Sequence, residues 1–511
     1  MWQLFIDGLA SIATPETLVL MILGVIVGII FGSVPGLTAV TGIALFLPVT
    51  YSLGPIKGMA LLMAIYIGAV SGGLIAALLI NIPGTPASVA TCFDGSPLAK
   101  KGQAYKALGV GTVFSFLGTI FGILALVFIS PVIANFALKF GPAEYFSVSI
   151  FALTLIASLA GKSLIKGLIS AALGIVFVTV GAAPIDAVNR YTFDFSGLRG
   201  GFDILTVLVG LYAISEILST AANKKQLIAG SGQVMQFSGK GFGFTLKEFL
   251  SQKWNFLISA LIGTGIGVLP GIGGATSNLL AYTVIKNKSK YPEKFGTGII
   301  DGVVASEAAN NATIGGAMIP LLTLGIPGDG ATAIMLGALM VQGMQPGPLL
   351  FQNQAPQVYT IFLGLLAANF FMGLLGFSHP DVVYGVFAAM CVASIMMIII
   401  QMFGLRIFAK VLKVPKYYLM PIIIVLCVIG AFALNNRIFD CWSIIFFGLV
   451  GYAMSKLDIP LAPMIMSFVL GATIETNLRR ALMYSNGDVS TFVTSPISCV
   501  FLGMAAISII L

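Results

Sequence analysis

Charge is what this sequence has least of. Only 9% of its 511 residues are Asp, Glu, Lys or Arg, where an ordinary soluble domain carries about 25%. That deficit excludes a water-facing globule. Histidine occurs once, as His379 in Ser378-His379-Pro380-Asp381 between two apolar runs. It reads as a loop residue and supplies neither a metal cluster nor a Ser/His/Asp constellation. The five cysteines, Cys92, Cys391, Cys427, Cys441 and Cys499, are scattered. An odd, dispersed set gives no disulfide framework, so they read as small apolar filler. No basic stretch is interleaved with aromatics, so the net charge of +8 gives no reason to expect a nucleic-acid partner. The start, Met1-Trp2-Gln3-Leu4-Phe5-Ile6-Asp7, lacks a positive n-region. It is not read as a cleaved signal peptide, and the first apolar run is expected to stay in the membrane.

What is present is apolar: 58% of residues, with a mean hydropathy of +1.04. Apolar runs fall at 15–33, 37–53, 57–82, 105–135, 145–160, 164–182 and 203–219. After a polar interval at 220–253 they resume at 254–269, 271–285, 298–326, 331–343, 357–377, 383–403, 417–434, 438–456, 460–475 and 492–511. A spanning helix needs about 20 apolar residues, so the shorter runs read as re-entrant pieces and the whole as roughly 11 to 14 spans. The expected fold is an all-α polytopic membrane protein with no soluble domain.

An internal repeat is legible. Gly28-x-x-x-Gly32-x-x-Pro35-Gly36 returns 235 positions later as Gly263-x-x-x-Gly267-x-x-Pro270-Gly271. Gly72-Gly73 with Ile82-Pro83-Gly84 is answered by Gly315-Gly316 with Ile326-Pro327-Gly328, the prolines lying 244 apart. The polar insert 286–294, missing from the first half, absorbs most of the difference. The expected layout is a first transmembrane repeat at 1–219, a cytoplasmic linker at 220–253, and a second repeat with extra C-terminal spans at 254–511. Lysine placement orients the halves, since basic loops stay inside. Lys224, Lys225, Lys240, Lys247 and Lys253 in the linker, and the basic insert, put both on the inside. The segment 254–285 therefore leaves and returns on one side as a hairpin. Its counterpart at 15–53 is flanked by little charge and fits the opposite side. Lys100, Lys101 and Lys106 place the first half's second break inside, while the uncharged stretch 342–357 fits outside. The halves read as inverted repeats. Beyond about residue 400 the rule fails: Arg406, Lys410, Lys413 and Lys416 fall on the side the alternation makes external.

A Pro-Gly pair breaks a membrane helix, because proline lacks an N–H and clashes with the preceding turn. The freed backbone survives only inside protein or along a cavity. A helix restarting after the break presents free N–H groups and a positive dipole end, which together form an anion site. Paired broken helices are the described architecture of secondary transporters. The candidate anion-binding residues are Pro35, Gly36, Thr38, Thr41, Asn81, Pro83, Gly84, Thr85 and Ser88 in the first half. In the second they are Pro270, Gly271, Gly273, Gly274, Thr276, Ser277, Asn278, Pro327, Gly328 and Thr332. Small hydroxyls and amides also serve as interhelical glue, and for any single one that reading is equally open. Ser306, Glu307, Asn310 and Asn311 form the most polar stretch within an apolar run, at spacings that share a helix face. An acid in a membrane is a functional candidate by default. These four and Asp329 are the candidates for coupling a cation. Gly263-x-Gly265-x-Gly267 resembles a nucleotide loop, but no βαβ unit and no Gly-Lys-Ser/Thr accompany it, so nothing here is an ATPase.

The segments Gly263–Gly274, Glu307-Ala-Ala-Asn-Asn-Ala312, Ile319–Gly328, Gly32-Ser-Val-Pro-Gly-Leu37 and Asn81-Ile-Pro-Gly-Thr-Pro86 are very similar to the large membrane subunit of tripartite tricarboxylate transporters (TctA-like). The likeness runs over nearly the whole chain. It implies a non-enzymatic secondary importer in the bacterial inner membrane, taking up citrate or a related carboxylate. It also implies two partners: a small four-span membrane subunit and a periplasmic carboxylate-binding protein. The expected driving force is a Na⁺ or H⁺ gradient, with no cofactor beyond the coupling ion. A passive anion channel and a membrane-embedded lipid-modifying enzyme are the rival classes. The first would show no accumulation against a gradient, and the second would need clustered acids, histidines or a metal set.

Overall fold

The computed structural model describes residues 14–34, 37–159, 163–222, 243–355 and 436–510, with scattered positions between 357 and 432. Pro35, Gly36, His379, Cys391, the apolar run 383–403, most of 357–377 and 417–434, Lys224, Lys225, Lys240 and the basic cluster Arg406 to Lys416 lie outside the described residues.

The described chain is mostly helical. The first half holds α1 (Pro15–Ser33), α2 (Ala39–Tyr51), α3 (Gly54–Ile80), a 3₁₀ turn at Pro86–Ser88, α4 (Val89–Leu98), α5 (Ala104–Ala137), α6 (Pro142–Leu159), α7 (Leu164–Val178), α8 (Ile204–Val209) and α9 (Ser215–Ala222). The second holds α10 (Leu246–Ser251), α11 (Lys253–Val268), α12 (Gly273–Lys288), α13 (Ile300–Leu324), α14 (Gly330–Val341), α15 (Ile438–Lys456), α16 (Leu461–Tyr484) and α17 (Pro496–Ile510). A two-residue antiparallel ribbon, Gly181–Ala182 against Asn189–Arg190, follows α7. Arg190 and Arg479 both bridge Glu475, tying this ribbon to α16.

Among the described residues five helices are long and apolar enough to cross a bilayer: Pro15–Ser33, Gly54–Leu79, Pro86–Ala137, Ile438–Lys456 and Leu461–Tyr484. Six more apolar helices among them have 10–17 residues. The most apolar stretch of α3 is buried throughout, which makes it the central pillar of the first half. Lipid offers no hydrophobic drive between helices, so association depends on close approach through small residues. A Cβ on Gly28 would stand 2.4 Å from the Ile65 carbonyl oxygen, and one on Gly32 would stand 2.0 Å from that of Ala69. In the second half, Gly263 meets the Ala309 oxygen at 2.1 Å and Gly267 that of Thr313 at 2.8 Å. These contact pairs obey the same offsets, 235 on one helix and 244 on the other. Gly84 on the Gly32 oxygen (2.1 Å) and Gly328 on the Gly267 oxygen (2.5 Å) continue the correspondence. Asn81 (φ 53°) and Gly325 (φ 71°), again 244 apart, end α3 and α13 in the left-handed conformation.

Between the halves, Lys106 of α5 pairs with Glu248 of α10, and Glu248 also closes a capping box with Thr245. The Lys106 hydrogen bond, seconded by the Thr245 N–H, holds the Glu248 carboxyl at about 2. A depressed carboxyl contributes stability above its ordinary value of 4.5 and loses it as pH falls toward 2. Both groups are partly exposed, so the pair is worth under about 1 kcal/mol. Thermal unfolding of Glu248→Gln against the native chain should show its widest gap at neutral pH and none near pH 2. A gap that widened in acid would contradict the assignment.

Candidate functional site

Four helix starts follow the four breaks, and they are not alike. Helix α2 begins behind Thr38, whose hydroxyl accepts from Thr41 N at 3.3 Å. Helix α14 begins behind Asp329, whose Oδ1 accepts from Thr332 N and Thr332 Oγ1, each at 2.8 Å. These two ends are closed by their own side chains. The other two differ. Helix α12 begins behind Ile272, which has no polar side-chain atom to offer. At the 3₁₀ turn, Thr85 N donates to Ser88 Oγ at 3.3 Å as one arm of a capping box, while Thr85 Oγ1 is buried without a partner among the described residues.

These two starts meet. A Cβ on Gly274 would stand 3.0 Å from Ala87 Cβ and 2.8 Å from Asn310 Oδ1. Asn310, 1% exposed, has neither amide atom hydrogen-bonded among the described residues. A buried amide left unpaired costs about 1–3 kcal/mol, so its placement beside the α12 start makes it a candidate binding group. Nδ2 and Oδ1 are interchangeable by a flip, and a flip aims two donors at an anion. The closed ends border the same place. A Cβ on Gly273 would stand 3.1 Å from Asp329 Cβ, and one on Gly330 would stand 3.2 Å from Val40 and 2.7 Å from the Tyr212 hydroxyl. Tyr66 of α3 donates to Asp329 Oδ2.

On the same helix, Glu307 and Asn311 flank Asn310 and form a second cluster. Glu307 is fully buried in α13. Thr91 Oγ1 donates to its Oε1 at 2.5 Å and Ser115 Oγ to its Oε2 at 2.7 Å, while Asn311 Nδ2 approaches Oε2 at 3.4 Å. Asn311 Oδ1 accepts from Ser71 Oγ at 2.7 Å and from Thr119 Oγ1 at 3.4 Å. Thr91 also lies 3.1 Å from Ser306 Oγ. The cluster thus draws α3, α4, α5 and α13 around one carboxylate whose described hydrogen-bond partners are all neutral. An ionised carboxylate so placed is expensive to hold without a proton or a cation.

The remaining expected site residues separate. Pro83, Gly84, Pro270, Gly271, Pro327 and Gly328 form the breaks themselves. Ser277 lies within hydrogen-bond reach of the Gly274 carbonyl and is hydrogen-bonded to the Thr313 hydroxyl at 2.7 Å, and Asn278 bridges to the first half. Asn81 and Thr276 are exposed and stand away from the cluster around Asn310. Pro35 and Gly36 lie outside the described residues. Asp329 sits beside Gly273 and Tyr66. Sequence reasoning missed Tyr66, Ser71, Thr91, Asp94, Ser115, Thr119, Tyr212 and Tyr282. An Asp inside a helix as buried as α4 was a signal that could have flagged Asp94.

The chain matches the family described as the tripartite tricarboxylate transporter TctA family over residues 18–379 and 374–466. It belongs to the TctA family. A relative from Agrobacterium vitis, described as an uncharacterized 52.8 kDa protein in the TAR-I ttuC' 3'region, is 33% identical over 506 residues, 99% of this chain and 95% of that one. A second from the same organism, described as an uncharacterized protein in the TAR-II ttuC' 3'region, is 35% identical over 249 residues, 49% of this chain and 93% of that one. No solved structure matches. TctA membership makes the chain a multi-pass membrane subunit of a transporter, not an enzyme, and implies partner subunits and a binding protein.

Proposed function

We propose that this TctA chain is the transport subunit of an ion-gradient-driven importer of tricarboxylates or related carboxylates in the bacterial inner membrane. A periplasmic binding protein delivers the substrate, and a small four-span subunit accompanies the chain. One observation carries the site: a buried Asn310 amide, unpartnered among the described residues, beside the uncapped start of α12. Backbone N–H groups and an amide can hold a carboxylate without the desolvation cost of a buried arginine. The recurring glycine contacts support two equivalent halves, and the basic loops support their opposite orientation. Glu307, with Ser306 and Asn311, takes the coupling cation, Na⁺ or H⁺. Asp329 adds a negative charge beside the substrate that the same ion must offset.

The test is uptake of labelled citrate, malate and acetate into vesicles holding the complete assembly, with Na⁺ and pH gradients imposed separately. Accumulation above the external concentration is expected for at least one carboxylate under one gradient. Asn310→Ala should raise the half-saturation concentration about tenfold, since a hydrogen bond to a charged group is worth about 1.5–3 kcal/mol. Asp329→Asn should lower driven uptake more than it lowers protein abundance. Flux that only equilibrates across the membrane would make the chain a channel, and unchanged kinetics in Asn310→Ala would remove the pocket described here.

A further inference from the structure

Three buried polar side chains outside the pocket bind α4 of the first half to α12 of the second. Asn278 Nδ2 donates to the Ala87 carbonyl at 2.8 Å, and its Oδ1 accepts from Ala90 N at 3.0 Å. One side-chain amide thus stands in for a peptide group at the start of α4, where the break has left backbone groups free. One turn further along α12, the Tyr282 hydroxyl donates to Asp94 Oδ2 at 2.9 Å. Asp94 Oδ1 accepts from the N–H groups of Gly296 (3.0 Å), Gly298 (2.8 Å) and Ile299 (3.1 Å), the residues that lead into α13. A carboxylate from one half therefore anchors the entry to the helix that carries Glu307 and Asn310 in the other.

The corresponding crossing elsewhere in the molecule is built differently. By the 235-residue offset Asn278 and Tyr282 answer to Ile43 and Leu47. By the 244-residue offset Asp94 answers to Ala338. All three counterparts are buried and apolar; a hydrogen bond joins α2 to α14 at the C-terminal end of both helices instead, where Gln342 Nε2 donates to the Thr50 carbonyl at 2.8 Å. Burying Asn278 and Asp94, both 0% exposed, is costly unless every bond is made. The counterpart positions carry no polar side chain, whereas Asn278, Asp94 and Tyr282 place a polar seam beside the starts of α4 and α12.

We propose that Asn278, Asp94 and Tyr282 are positioning residues: they fix the spacing between the Thr85–Ser88 turn, the α12 start and Asn310, and so set the affinity for the carboxylate. None of the three touches the substrate. The inference rests on the transport reading above and refines its pocket. Hydrogen bonds hold a spacing more sharply than apolar contact does, because they weaken steeply with angle and distance. A pocket recognising a rigid pattern of carboxylate oxygens needs that definition.

The test measures citrate, malate and acetate uptake by the complete assembly in vesicles, normalised to protein, for Asn278→Ala, Tyr282→Phe and Ile43→Val. Half-saturation should rise about tenfold in Asn278→Ala and a few-fold in Tyr282→Phe, with maximal rates little changed. Ile43→Val, on the apolar crossing, should keep the native half-saturation value. Tyr282→Phe removes one hydroxyl and leaves Asp94 with three N–H partners, so it decides the matter even if Asn278→Ala fails to accumulate. A native half-saturation value in Tyr282→Phe, or an equal rise in Ile43→Val, overturns the proposal while transport by the native chain stands. Absence of accumulation by the native assembly would instead remove the transport reading, and this inference with it.

Discussion

Glu307→Gln is expected to collapse ion-driven accumulation to simple equilibration while leaving the protein folded in the membrane. The substitution is close to isosteric. Its amide oxygen still accepts from Thr91 or Ser115, and the hydroxyl facing the new NH₂ can rotate to accept from it. Packing between α5 and α13 is therefore kept. What disappears is the one group in the cluster that can change charge. Inserting an ionised acid at mid-membrane costs about 2.5–3.5 kcal/mol, so its loss should not reduce the yield of folded chain. Driven uptake should fall about 100-fold or more, equivalent to about 2.7 kcal/mol at 1.36 kcal/mol per decade. Counterflow exchange of preloaded carboxylate should persist, because the Asn310 pocket is untouched. The measurement is accumulation ratio against imposed Na⁺ and pH gradients in reconstituted vesicles. Native accumulation in Glu307→Gln would take Glu307 out of the coupling step.

That carboxylate was visible in the sequence because an acid among alanines in an apolar run has few structural explanations. Asn310 and Asn311 were visible for the same reason. Their partners were not. Ser71, Thr91, Ser115 and Thr119 are single hydroxyls, each of which could bond its own helix backbone equally well, and only three-dimensional packing brings Thr91 and Ser115 to Glu307 and Ser71 and Thr119 to Asn311. The breaks were legible as motifs, but their two functional classes were not. Asp329-x-x-Thr332 is a capping pair in plain sight, and reading it so would have closed that helix start at once. Asn81 was singled out only as polarity beside a break. The structure makes it the left-handed end of the helix before, where its repeat partner is Gly325 and where Asn is the usual substitute for Gly. Thr276 follows the break closely in sequence, but the 100° step of the helix turns it outward. Span number depended on continuity, which hydropathy does not report.

Gly315→Ala is expected to remove most of the folded protein, although it adds one methyl group to a helix interior. Its Cβ would lie 2.0 Å from the Gly122 carbonyl carbon, 2.1 Å from the Gly122 oxygen and 2.6 Å from Ile123 N. All are backbone atoms of α5, so no rotamer can relieve the clash, and the helices must separate by about an ångström. Overpacking a well-filled core costs about 1–3 kcal/mol and more where backbone must move. Here Gly118 and Gly122 hold the same contact against the Ala308 and Ala312 oxygens, each at 2.4 Å, so the whole seam would open. Gly265→Ala is the matched control. Nothing lies within 4 Å of its Cβ, and gaining a better helix former should be neutral or stabilising by about 0.5–1 kcal/mol. Thermal unfolding in detergent, read beside membrane yield, separates the two. A native melting temperature in Gly315→Ala would mean that α5 and α13 are not in backbone contact. The same seam carries Ser115 and Thr119 to Glu307 and Asn311. Any surviving Gly315→Ala protein should therefore lose coupling in proportion to its lost stability, because the spacing that packs the two glycine-lined helices is the spacing that brings those hydroxyls within reach of the carboxylate.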